Sequence, residues 1–406
     1  MQESLKQPRV LFLDQTGQLG GAELCLADVV ANFAERSSVM LFQDGPFRDL
    51  LESKKVKVAI VCPSRQPAMV SKSSGLIGIL RAGPQFFRLA LRVAREARRF
   101  DLIYANTAKA LIVGGVAALL SRKPLLYHLH DIISAKHFSA VNRRLLVAFG
   151  NRAEAVVANS EATRRSFIES GGRKELTSVV HNGFDPECYT EPTAEYRLSF
   201  REEFGIGDAP CVLMVGRITP WKGQHLLLEA VRTLPAVHAI IAGEALFTDE
   251  DRQYGDRIMK TAAQPELAGR IHFVGFRKDL SRWYGAVDLV VHASTAPEPF
   301  GRVIVEGMLA GKPVIATRGG GASEILTDKV TGYLIAPGDA RQIAVAIRTI
   351  LDDPYDAAAV AERGREHARQ KYSKEALLNS IEKVIGQVID KRGWPCDHSE
   401  NREKGF

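Results

Sequence analysis

Short apolar runs recur along the chain, and helical periodicity follows each of them. This alternation predicts parallel sheets built from strand-helix-strand units. Arg9 to Asp14, Val39 to Gln43, Val56 to Cys62, Asp101 to Asn106, Leu125 to Leu129, Ala155 to Asn159 and Ser178 to His181 read as one series of strands. A second series begins at Cys211 and continues through His238 to Ala242, Ile271 to Val274, Asp288 to His292 and Pro313 to Ala316. Between the two lies the turn-rich Asn182-Gly183-Phe184-Asp185-Pro186, followed by Glu187 to Glu195, which is polar and has no apolar period. A domain boundary is expected there. The fold class is therefore α/β, as two doubly wound domains facing across a cleft. Ligands of open α/β sheets bind outside the carboxyl ends of the strands, so the loops at those ends should carry the chemistry.

Composition narrows the picture. The 406 residues are 46% hydrophobic, enough for two cores of ordinary size. No uninterrupted apolar stretch reaches the ~20 residues of a spanning helix, and Met1 to Pro8 is too polar and short for a secretory signal. The chain reads as cytosolic. Cys25, Cys62, Cys188, Cys211 and Cys396 are scattered, which suits a reducing compartment and argues against structural zinc.

The net charge of +7 is unevenly placed. Residues 1–188 hold 26 lysines and arginines against 17 acids, and the remainder holds 28 against 30. Arg81, Arg88, Arg92, Arg95, Arg98 and Arg99 concentrate the excess, with Arg143, Arg144, Arg152, Arg164 and Arg165 after them. Leu76, Ile77, Ile79, Leu80, Phe86 and Phe87 lie nearby. Such a face suits an anionic membrane surface or a phosphate-bearing acceptor, or it is a solvated helix face over a core stripe. Nucleic acid is not expected as a partner, because no aromatic-basic interleaving accompanies the charge.

The segment Pro297-Glu298-Pro299-Phe300-Gly301-Arg302-Val303-Ile304-Val305-Glu306 places two carboxylates across a loop-to-helix junction. Pro299 pushes Glu298 out of the helical region, and Glu306 lies on the helix. At about 1.5 Å per residue the acids stand roughly 10 Å apart along the axis, comparable to the span from sugar to ribose in a nucleotide sugar. The free N–H groups from Phe300 to Val303 between them offer a pyrophosphate seat, or the segment is an ordinary amphipathic helix with a surface acid and an acidic first turn.

Arg217 ends the strand-like run from Cys211, and Lys222 leads into the helical run from Gln224 to Leu234. Two cations there can neutralise a diphosphate leaving group, which lowers the barrier to breaking an anomeric C–O bond. His130-Asp131 ends another strand. His130 can donate to a sugar hydroxyl or bind an acceptor, whereas His128 points deeper and reads as core. Asp131 serves the site or caps a helix. Gly20-Gly21 at a strand-to-helix turn permits close approach of a ligand, as does Gly319-Gly320-Gly321, where a tight turn explains the glycines equally. Asp249-Glu250-Asp251 reads as the acidic start of a helix, and no metal is expected.

In their order and spacing, Gly20-Gly21-Ala22-Glu23, His130-Asp131, His181-Asn182-Gly183-Phe184-Asp185, Val215-Gly216-Arg217 with Lys222-Gly223, and Glu298 through Glu306 followed by Gly319 to Glu324 resemble glycosyltransferase family 4. The resemblance covers nearly the whole chain. It implies a GT-B fold of two Rossmann-like domains. The first, 1–185, would hold the acceptor, and the second, 186–372, would hold the nucleotide sugar. Residues 373–406 would be tail and crossover helix, with Lys374 to Asp390 returning to the first domain. By the same resemblance Arg217 and Lys222 hold the donor diphosphate, Glu298 contacts the sugar and Glu306 takes the ribose. Gly20, Gly21 and the backbone of Phe300, Gly301, Arg302 and Val303 approach the phosphates, Phe276 and Arg277 frame the base, and His130 stands near the reacting carbon.

The activity implied is a retaining, metal-independent hexosyl transfer from a UDP- or GDP-sugar to a glycan or lipid-linked acceptor in cell-surface polysaccharide synthesis, at or near the inner membrane face. The segment Gly243 to Phe247 departs from the short glycine-rich turn usual in the family. A nucleotide-sugar epimerase and a non-catalytic two-domain sugar-binding protein are the competing readings.

Overall fold

The computed structural model describes residues 8–61, 76–135, 137–245, 248–277 and 279–391, with side chains from Gly83 onward in the helix Leu76–Ala97. Cys62, Cys396, Met1 to Gln7, Leu246, Phe247, the tail from Gly393 and the side chains of Leu76, Ile77, Ile79, Leu80 and Arg81 lie outside the described residues.

The chain divides into two compact units, one formed by Met1–His181 with Leu377–Phe406 and the other by Asn182–Ala376. The first is built on β1 (Val10–Asp14), β2 (Ser38–Leu41), β3 (Lys57–Ile60), β4 (Leu102–Ala105), β5 (Leu125–Leu129), β6 (Ala155–Ala158) and β7 (Thr177–Val179). All pair in parallel, in the order β3-β2-β1-β4-β5-β6-β7. Strands β1, β4 and β5 are buried along their whole length, as continuous apolar runs covered by helices on both faces should be. Leu377, Ile381, Ile385, Val388 and Ile389 of the helix Lys374–Asp390 join Val10, Phe12 and Leu126 in this unit's core.

The second unit holds β8 (Cys211–Val215), β9 (His238–Ala242), β10 (Ile271–Phe273), β11 (Leu289–His292), β12 (Val314–Thr317) and β13 (Tyr333–Ile335). They pair in parallel in the order β10-β9-β8-β11-β12-β13. The two-sheet, Rossmann-like architecture is the one expected. Edge strand β13 was not legible, because three residues carry too short a run to stand out. Each sheet reverses its strand order once, between β1 and β4 and between β8 and β11. Crevices at the carboxyl ends of strands lie at such switch points.

Asp249-Glu250-Asp251 forms the first turn of the helix Asp249–Ala262, capped by Thr248. The next described helix after Asp131 starts at Ala140, and its cap is Ser139, accepting from the Asn142 N–H.

Candidate active site

In the second unit the loop after β11 brings Glu298 to Lys222, whose Nζ donates to Glu298 Oε2 at 2.7 Å. The loop after β8 supplies Lys222 through a single turn of tight helix, Pro220–Lys222. Ser294 Oγ donates to the same Oε2 at 3.2 Å, and His292 Nε2 stands 3.2 Å from it. Because a carboxylate can only accept, His292 carries its proton on Nε2. Burial alone would raise Glu298, but Lys222 and His292 outweigh it and hold the carboxyl well below the usual carboxylate range. The hydrogen bonds of Glu298's carboxylate among the described residues all fall on Oε2. The carboxylate is thus oriented through one oxygen while Oε1 is left for a further donor.

The glycine run sets this loop. Glu298 bridges Gly320, and its carbonyl accepts from the Gly321 N–H at 2.8 Å. A Cβ on Gly320, whose φ is +59°, would come within 2.1 Å of the Glu298 carbonyl oxygen, and one on Gly321 within 2.2 Å of that of Phe300. These glycines therefore clamp the Glu298 loop; contact with a ligand is not needed to explain them.

The helix Arg302–Leu309 follows, with Gly301 before it in the left-handed region. The Phe300 side chain is buried between Phe184 and Tyr372, so only its backbone is available to a phosphate. Glu306 is held on both oxygens. Tyr284 donates its hydroxyl to Oε2 at 2.7 Å, and Arg302 approaches Oε1 at 3.4 Å while its guanidinium lies over the Phe184 ring. Burial and the neighbouring carboxylate push the Tyr284 phenol well above its ordinary value, so it remains a donor.

Arg217 is exposed, and its carbonyl is held by Gln224 at 2.8 Å. After β10, Phe276 is exposed and Arg277 lies over the Trp283 ring. Glu244, in the segment that departs from the family pattern, accepts from the Phe276 N–H at 3.1 Å through Oε1 and so fastens these two loops together.

In the first unit, Gly20 caps the helix Gly21–Ala31, and the polar groups gather at the β1/β4 switch point. Asp14 is fully buried and accepts from Asn106 Nδ2 at 2.8 Å. The same amide donates to the Ala22 carbonyl at 3.3 Å. With both amide hydrogens facing acceptors, Asn106 Oδ1 is the atom 3.0 Å from His130 Nε2, which therefore carries the proton. His128 packs against His130 at 3.9 Å between ring centres and is fully buried; its Nδ1 lies 2.6 Å from the Tyr104 hydroxyl. Burial first, and then His130, push its pKa well below the ordinary value, which fits a core role.

The structure thus brings Lys222 to Glu298 and Arg302 to Glu306 in the second unit, and places Gly20, Gly21 and His130 in the first. Sequence reasoning missed His292, Ser294, Tyr284, Asn106 and Asp14. Four of these offered a signal: His292, Ser294, Asn106 and Asp14 are polar residues at or just after the carboxyl ends of buried apolar strands beside a switch point.

Residues 19–188 match the family model described as Glycosyltransferase Family 4, and residues 197–367 the model described as Glycosyl transferases group 1. The solved structure of Anabaena HepE in complex with UDP-glucose is similar to the chain at 40% sequence identity and a TM-score of 0.86, covering 94% of this chain and 100% of that one. LpsE of Rhizobium meliloti, a lipopolysaccharide core biosynthesis glycosyltransferase, is 36% identical over 178 residues, which are 44% of this chain and 50% of that protein. The D-inositol 3-phosphate glycosyltransferase of Mycolicibacterium smegmatis is 27% identical, over 80% of this chain and 75% of that protein.

Proposed function

The chain belongs to glycosyltransferase family 4, and we propose that it moves a hexose from a UDP-sugar to a glycan or lipid-linked acceptor in cell-surface polysaccharide synthesis, with retention of configuration. The observation that carries this reading is the Lys222–Glu298 pair: a cation anchored beside a carboxylate with one oxygen left to accept from a sugar hydroxyl. HepE, 40% identical, was solved with UDP-glucose, which favours uridine over guanosine. LpsE supports a role in surface glycans.

In the proposed reaction Arg217 and Lys222 hold the diphosphate, Glu306 the ribose and Glu298 the sugar. Phe276 and Arg277 frame the base, and the backbone of Phe300, Gly301, Arg302 and Val303 faces the phosphates. The anomeric C–O bond to the β-phosphate breaks, the acceptor oxygen bonds the same face of that carbon, and the acceptor proton passes to the departing phosphate oxygen. Cations fixed at the developing charge stabilise that step. Side-chain cations carry the charge on this account, and a chelator should leave the rate unchanged.

The acceptor end is proposed to meet an anionic membrane surface through the first unit. Phe87 and Leu91, one turn apart on the helix Leu76–Ala97, are 54% and 42% exposed; Arg88, Arg92 and Arg95 are exposed on the same helix, and Arg98 and Arg99 in the turn that follows it. Apolar groups among arginines suit a lipid headgroup layer better than bulk water.

The test is nucleotide release from UDP-, GDP- and ADP-sugars by purified protein, with and without lipid-linked acceptors. Release from a UDP-sugar that accelerates with acceptor supports transfer. Turnover of donor to an isomer with no acceptor would instead mark an epimerase, and binding without turnover a sensor. Glu298→Gln should lose turnover by about 100-fold or more while keeping nucleotide affinity, as expected when an interaction serves the reacting sugar.

A further inference from the structure

We propose that Tyr284 is a positioning residue that makes Glu306 selective for a vicinal diol, so that the site discriminates ribose from deoxyribose nucleotides. This rests on the reading of Glu306 as the ribose-binding acid and adds a residue that governs its selectivity.

A carboxylate offers about four lone-pair directions, two on each oxygen. Tyr284 takes one on Oε2 at 2.7 Å, and Arg302 lies 3.4 Å from Oε1. Among the described residues, one direction on each oxygen is left. Two adjacent hydroxyls donating in parallel are the natural complement to that pair, whereas a sugar with a single hydroxyl leaves one oxygen of a largely buried acid unmatched. The penalty for an unmatched buried group is what gives such sites their selectivity.

Selectivity of this kind needs a carboxylate that does not rotate to accommodate the poorer ligand. Tyr284 is fully buried, its ring meets Tyr189 edge-on at 6.2 Å, and its hydroxyl has no competing partner among the described residues. Arg302 makes the longer contact with Glu306, and its guanidinium is shared with the Phe184 ring at 4.5 Å. Tyr284 is therefore the group that fixes the carboxylate plane. Glu306 itself, at 12% side-chain exposure, has little solvent with which to replace a lost partner.

The experiment is calorimetric binding of UDP and 2′-deoxy-UDP to the full chain, as wild type, Tyr284→Phe, Glu306→Gln and the double variant, with unfolding temperatures recorded for each. Wild type should prefer UDP by about 10- to 100-fold, the range for a hydrogen bond to a charged group. Tyr284→Phe, which keeps the ring, should bind UDP several-fold more weakly and lose most of the preference. Adding it to Glu306→Gln should change nothing further, because Tyr284 acts through Glu306. An undiminished preference in Tyr284→Phe, equal weakening of both nucleotides, or additive effects in the double variant would overturn the inference. If Tyr284→Phe does not fold, Glu306→Gln alone decides, since retention of the preference there removes the acid through which Tyr284 is held to act. Wild type binding UDP and 2′-deoxy-UDP equally would refute the selectivity and leave the glycosyltransferase reading intact; wild type binding neither UDP nor GDP would refute that reading itself.

Discussion

Lys222 Nζ and Glu298 Oε2 lie 2.7 Å apart although 76 residues separate them in sequence, and both side chains are only 13% exposed. The pair joins the loop after β8 to the loop after β11 at the switch point of the second sheet. Removing one member leaves the other charged and poorly solvated, which costs about 3 kcal/mol. Lys222→Met should therefore lower stability by roughly this amount and abolish most turnover. Glu298 has a depressed pKa when folded, so its contribution is present above its unfolded value and lost as pH falls through the folded one. The stability gap between wild type and Lys222→Met should accordingly be widest near neutrality and narrow below about pH 4.5. Denaturant unfolding across that range checks it, and a gap independent of pH would show that the pair is not the source.

Asp14 titrates in the opposite sense. Burial lifts it from 3.8 to about 6 against the hydrogen bonds from Asn106, Thr16 and Gln15. A raised folded pKa gives stability that is full below the unfolded value and is lost as pH rises through the folded one. The rise corresponds to about 3 kcal/mol for a group wholly out of solvent. Between pH 4 and 6.5 wild type should lose stability relative to Asp14→Asn, which carries no titrating group there. Parallel unfolding curves for the two proteins would contradict the assignment.

How much of this was legible in the sequence follows from where each signal lies. The mainly apolar runs at Leu125–Leu129 and His238–Ala242 gave strand bounds that the structure matches residue for residue, because a strand covered on both faces reads as a near-continuous apolar run. Glu298 and Lys222 were legible singly, as charged residues at strand ends. Their contact was not, since it depends on β8 and β11 being neighbours, which is a property of strand order and not of either segment. Tyr284 gave no signal at all: a tyrosine among apolar residues reads as core, and only the position of Glu306 one helix away gives its hydroxyl a purpose. The glycines at 319 to 321 were read as contacts for a ligand or a tight turn, and they prove to support the Glu298 loop.

The exposed Phe87 and Leu91 among arginines predict binding to vesicles containing anionic lipid and not to neutral ones. Binding should weaken as salt rises, because the arginine contribution is screened within a Debye length of about 8 Å at physiological ionic strength. Phe87→Ser with Leu91→Ser should reduce vesicle binding and leave turnover of soluble donor unchanged. Equal partition to neutral and anionic vesicles, or none to either, would remove the membrane from the account. Sedimentation with vesicles of both compositions makes the measurement.

The central claim is that the second unit grips a nucleoside diphosphate with Arg217 and Lys222, its ribose with Glu306 and the sugar with Glu298. A crystal structure of the protein with an intact UDP-sugar tests it most directly. The account predicts the diphosphate within hydrogen-bond distance of Arg217 and Lys222, the ribose hydroxyls on Glu306 and a sugar hydroxyl on Glu298 Oε1. A nucleotide bound away from Lys222 and Glu306, or turned so that its sugar points away from Glu298, would contradict it.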